Sequence, residues 1–74
     1  MPCIKIIDAV KICIYMRDHN PPHFHAIYGE YEELIIISSL NTYAGFIPKN
    51  KRKKVISWAN KNKDYLKSKW DELN

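Results

Sequence analysis

Between residues 9 and 16, AVKICIYM, the apolar Val10, Ile12, Ile14 and Met16 alternate with Lys11, Cys13 and Tyr15. A period of two places one set on each side of an extended chain, so the segment is predicted to be a half-buried strand. RDHNPP (17–22) stops it, because two prolines cannot donate to a ladder and Asn-Pro favours a turn. Extended structure resumes at HFHAIY (23–28), Gly29-Glu30 makes a tight turn, and YEELIIIS (31–38) gives the strongest strand signal in the chain. Strands joined this closely predict an antiparallel meander, with a short fourth strand or arm at 42–47 after a turn at 39–41.

At Pro48 the period changes. Proline is favoured at the start of a helix, and Val55, Trp58, Ala59, Tyr65, Leu66, Trp70 and Leu73 recur at helical spacing. NKNKD (60–64) is poor in apolar residues and rich in Asn, which predicts a break near Asn62 and two helices. The fold class expected is α+β: a three- to four-stranded antiparallel meander followed by two C-terminal helices packed on one face. Residues 1–74 make a single domain, sheet to 47 and helical from 48.

That layout leaves apolar surface over. Ile35 and Ile37 point to one side of their strand, Leu34 and Ile36 to the other, and two helices cover one face only. A homodimer or a partner protein is expected to meet the second face.

Composition narrows the class. A 46% hydrophobic content argues for a folded chain. The longest apolar run falls short of the roughly 18 residues of a membrane span, and the opening Met1-Pro2-Cys3 has no signal-peptide layout. Cys3 and Cys13 match neither a CxxC pair nor a disulfide scaffold, so they are expected to be reduced thiols of a cytoplasmic protein.

Charge is divided unevenly. Residues 1–47 carry net −2 and residues 48–74 net +6. Lys49, Arg52 and Lys53 share one helical stripe, with Lys51 and Lys54 flanking it, and Arg17 lies beside the histidines. Arg17, Lys49, Arg52 and Lys53 are therefore candidate phosphate contacts for RNA or DNA, although a solvated helix face has the same composition. Cations in a first helical turn oppose the macrodipole by about 0.3–1 kcal/mol each, so replacing Arg52 and Lys53 is expected to stabilise the fold slightly.

All three histidines fall within seven residues, in DHNPPHFH (18–25). On a strand, His23 and His25 project from the same side with their roots about 6–7 Å apart. Two imidazoles so placed can chelate a divalent metal such as Zn²⁺, with Asp18 and His19 supplying further ligands across the double-proline turn. The same Asp18, His19, His23 and His25 suit metal-free acid–base catalysis in a small nuclease. They also suit a purely structural turn, in which Asp18 or Asn20 bonds its own backbone and the imidazoles satisfy carbonyls. Neither a GxSxG elbow nor a phosphate-cradling glycine loop occurs.

The opening MP, the segment RDHNPPHFHAIYGEYEELI and the stretch VISWANKNKDYLKSKW closely resemble a small bacterial family, domain of unknown function 4160. The resemblance spans nearly the whole chain. It carries Asp18 through Ala26 as the signature, Tyr28 and Glu32 in the following hairpin, and Trp58 and Trp70 in the helices; the run at 49–54 is more basic than expected of the family. Members resemble short genes that stand beside domain of unknown function 2442 in a toxin–antitoxin arrangement. By resemblance, the expected function is a small cytoplasmic module that binds such a cognate protein and RNA or DNA. The alternatives are a metal-dependent or histidine-based nuclease and a non-catalytic interaction domain.

Overall fold

The computed structural model describes residues 3–74; the Met1-Pro2 opening lies outside the described residues. Five strands form one antiparallel sheet in chain order: β1 (Cys3–Ile7), β2 (Val10–Cys13), β3 (His23–Tyr28), β4 (Tyr31–Ile36) and β5 (Thr42–Phe46). Two helices follow, α1 (Lys49–Lys61) and α2 (Lys63–Leu73). The α+β order matches the sequence pattern, with one strand more than the three or four expected. The extra strand is β1, whose CIKII has no alternation to betray it and whose pairing with β2 slips between Cys3 and Lys5.

That strand corrects the cysteine reading. The β1–β2 register sets Cys3 opposite Cys13, and their sulfurs are bonded at 2.01 Å in a disulfide. No reduced thiol remains among the described residues, and the support that free cysteines lent to a cytoplasmic location falls away. No helix is long and apolar enough to cross a membrane.

Alternation sorts the sheet into two faces. Val10, Ile12 and Ile14, with Phe24, Ala26, Ile35 and Ile37, form a core with Val55 and Ala59 of α1 and Leu66 and Trp70 of α2. The helices part at Asn62, whose side-chain amide donates to the Trp58 carbonyl at 2.8 Å. Glu33 sits on the core side and is 1% exposed. It accepts from Thr42 Oγ1 at 2.6 Å, Arg52 Nε at 2.8 Å and the Ile47 N–H at 3.2 Å. One carboxylate thereby ties β4, β5 and α1 together, fully compensated as a buried charge must be. Gly45, at φ +72°, crosses this region because a Cβ there would run into the Glu32 carbonyl.

The other face is only partly screened. Ile27, Leu34 and Ile36 are half-buried there, as is His25, whose ring Tyr15 meets at 4.4 Å.

Candidate functional site

The prolines and a sharp backbone reversal fold segment 17–22 back over the start of β3. Arg17 takes a left-handed φ of 55°, and the Asn20–Pro21 peptide is cis. Asp18 is held by two links: its N–H donates to the Asn74 side chain at 2.8 Å, and its Oδ1 accepts the His19 N–H at 2.9 Å. Its Oδ2 is thereby aimed at β3, 3.1 Å from His23 Nε2 and 3.1 Å from His25 Nε2. These three ligand atoms all lie within 4.8 Å of one another.

The partners of the other ring nitrogens fix the proton positions. His23 Nδ1 lies 2.7 Å from the Pro21 carbonyl, which only accepts, so Nδ1 carries the hydrogen. His25 Nδ1 lies 2.7 Å from Glu32 Oε2, and an ionised carboxylate also only accepts. A neutral imidazole has one N–H. With both rings neutral, the two Nε2 atoms present lone pairs to the Asp18 carboxylate, an arrangement that repels unless a proton or a cation lies between them. His23 Nε2 is fully buried and makes no hydrogen bond, since the 3.1 Å approach to Asp18 lacks the angle for one. Protonating the pair would repair only the His25 contact, which does have hydrogen-bond geometry.

Burial pushes the Asp18 carboxyl up. The contact with His25, the His19 N–H and the neighbouring His23 ring outweigh it and hold the group below the usual carboxylate value. Aromatic rings wall the cluster. Tyr15 meets the His25 ring edge-on at 4.4 Å, and Trp70 and Tyr43 lie 5.3 and 5.6 Å from the His23 ring. Burial raises the Tyr15 phenol above its ordinary value, with the Glu32 and Asp18 charges adding to it.

The candidate residues separate into groups. Asp18, His23 and His25 converge as the sequence pattern proposes. His19 does not join them: its ring is 62% exposed and its Nδ1 turns to the opposite carboxylate oxygen, Asp18 Oδ1. Arg17 is exposed beside the cluster, and Lys49 and Lys53 are exposed along a groove that Arg52 and Ile56 complete. Arg52 is spent on Glu33, the Leu40 carbonyl and Thr42, so it is not a free phosphate contact. Lys51 and Lys54 pair with Asp8.

Residue-by-residue reading missed Glu32 as the partner of His25, although its signal was present. The two-residue turn at Gly29-Glu30 pairs Tyr28 with Tyr31 and thus sets Glu32 on the side of His25. Asn74 and Trp70 reach the site only through helix packing, and no local pattern marks them.

A family model described as a domain of unknown function (DUF4160) matches residues 10–71. No curated protein and no solved structure matches the chain. The chain belongs to the DUF4160 family.

Proposed function

We propose that in this member of the family Asp18, His23 and His25 form a divalent-metal centre. The observation that carries the reading is the convergence of two Nε2 lone pairs and a carboxylate oxygen, one of the nitrogens buried without any hydrogen bond. Two ligand atoms each about 2 Å from a tetrahedral metal stand roughly 3.3 Å apart, and the 3.1 Å separations from Asp18 to each imidazole suit that spacing. Both second nitrogens donate to oxygen, His25 to a carboxylate and His23 to a backbone carbonyl, as outer partners of metal-bound histidines do. Imidazole with carboxylate suits Zn²⁺ and the divalent first-row metals.

Three protein ligands leave a coordination position for water, whose pKa a bound metal lowers to about 7. The reaction class supported is metal-activated hydrolysis. RNA and DNA are the first substrates to test, because Arg17 beside the centre and Lys49 and Lys53 on α1 offer phosphate contacts. A cytoplasmic location is part of the same proposal and is checked by fractionation. A second reading, a toxin–antitoxin-type module that binds a cognate small protein, is favoured by the exposed Ile6 and Phe46 on the outer face of the sheet.

Calorimetric titration of metal-stripped protein with Zn²⁺, Mn²⁺ and Fe²⁺ tests the centre. One equivalent is expected to bind and raise the melting temperature, and His25→Ala is expected to abolish both effects. Cleavage of labelled RNA should require the metal and disappear in His25→Ala. A folded protein indifferent to all three ions sinks the metal centre.

A further inference from the structure

One row of side chains runs in register through all five strands: Ile6 beside Lys11, Lys11 beside Ile27, Ile27 beside Glu32, and Glu32 beside Phe46. Directly paired residues of an antiparallel ladder project to the same side. Ile27 alternates with the core residue Ala26, so the row lies on the face away from the core. Read across the sheet, it is apolar, cationic, apolar, anionic, apolar, with β3 at the centre. Its two ends, Ile6 and Phe46, are each 65% exposed.

We infer that a second copy of this chain packs face to face on this row, about a twofold axis running along β3. Such an axis, midway between two facing sheets, exchanges β2 with β4 and β1 with β5 and leaves β3 opposite itself. Lys11 of each protomer then meets the partner's Glu32, Ile27 meets the partner's Ile27, and Ile6 meets the partner's Phe46. The charges select this axis. A twofold along β2 sets Lys11 on its own copy, and one along β4 does the same to Glu32. An axis across the strands at this row opposes every strand to itself and makes both like-charge contacts at once. Like charges so placed are costly at an interface. Lys11 and Glu32 stand one strand, about 4.8 Å, from the chosen axis. At the roughly 10 Å spacing of packed sheets both long side chains therefore reach their partners.

The second copy also bears on the histidine cluster. Glu32 gives Oε2 to His25 Nδ1, and its remaining carboxylate oxygen is the one that the partner's Lys11 meets. Each protomer thus steadies the residue that orients an imidazole of the other.

Sedimentation velocity on metal-stripped protein tests the interface independently of the metal centre. Wild type is expected to run at about twice the 8.8 kDa of one chain. Lys11→Glu and Glu32→Lys should each weaken the dimer roughly tenfold or more, while circular dichroism shows the fold retained. An equimolar mixture of the two single variants should regain the dimer, since every charged contact across the interface becomes Glu against Lys. The double variant K11E/E32K should regain it as well. A monomeric wild type overturns the inference, including one that gains mass only on adding a different protein. So does a dimer whose mass neither single substitution changes, or a pair of monomeric variants that fail to associate when mixed.

Discussion

The side chain of Asn74 accepts the Asp18 backbone N–H at 2.8 Å and donates to the Tyr15 carbonyl at 3.2 Å, clamping the loop that carries Asp18 against the end of α2. The same helix lays Trp70 against the His23 ring at a centroid distance of 5.3 Å. α2 thus packs the core and also positions two of the three proposed ligands.

Asn74→Ala removes the clamp and should cost about 1 kcal/mol, the net worth of a typical hydrogen bond. Amide exchange should accelerate in residues 15–19 and stay unchanged in β3 and β4. Metal affinity should fall while the stoichiometry holds. Uniform loss of protection across the chain would show that Asn74 supports the whole fold and not the loop.

Asp18→Asn separates a metal site from a protonated cluster by the sign of its effect. An amide in place of Oδ2 offers two N–H donors to the facing Nε2 lone pairs and removes the anion that repels them. In metal-stripped protein, well above the usual imidazole pKa of about 6.5, this variant should melt higher, by about 1 kcal/mol of added stability. It should also lose metal binding. A lower melting temperature would mean that imidazolium charge holds the cluster together.

Arg52→Ala should destabilise by about 3 kcal/mol, because it leaves the Glu33 carboxylate buried without its cation. Chemical denaturation measures it, and adding Glu33→Gln should recover part of the loss. Lys53→Ala, on an exposed side chain, should stay within about 0.5 kcal/mol of wild type. The macrodipole alone predicts that the Arg52 change stabilises the helix; the buried Glu33 carboxylate reverses the sign.

Asp8 gives the acid limb of the stability curve a specific contributor. The Lys51 hydrogen bond and the nearby Lys51 and Lys54 charges hold its carboxyl below the usual value despite some desolvation. A carboxyl lowered in the native state binds fewer protons there than in the unfolded chain. Its stabilisation is therefore present above the unfolded value of about 4 and is lost as pH falls through the native one. Asp8→Asn keeps a residue that tolerates the left-handed φ of 48° at this turn. Its melting temperature should fall less steeply than that of wild type below about pH 4, and salt should narrow the difference.

Local pattern alone determined much of this protein. A period of two marked β2, the extended HFHAIY and the apolar run of YEELIIIS marked β3 and β4, Asn-Pro-Pro and Gly29-Glu30 marked their turns, and the weakly apolar stretch around Asn62 marked the parting of the helices. The pairing of His23 with His25 on one side of a strand followed from the same alternation, and Asp18 was within reach because the double proline forces the chain to reverse. All of these are facts about neighbours in sequence, which dihedral preference and side-chain direction settle without the rest of the fold. Only the tertiary structure decided the partner of each Nδ1, which is Glu32 across a ladder for His25 and the Pro21 carbonyl under a folded loop for His23. It alone tied Arg52 to a buried carboxylate, since Glu33 belongs to another element. It alone joined Cys3 to Cys13 and aligned Ile6, Lys11, Ile27, Glu32 and Phe46, because register is a relation between strands and no single strand contains it.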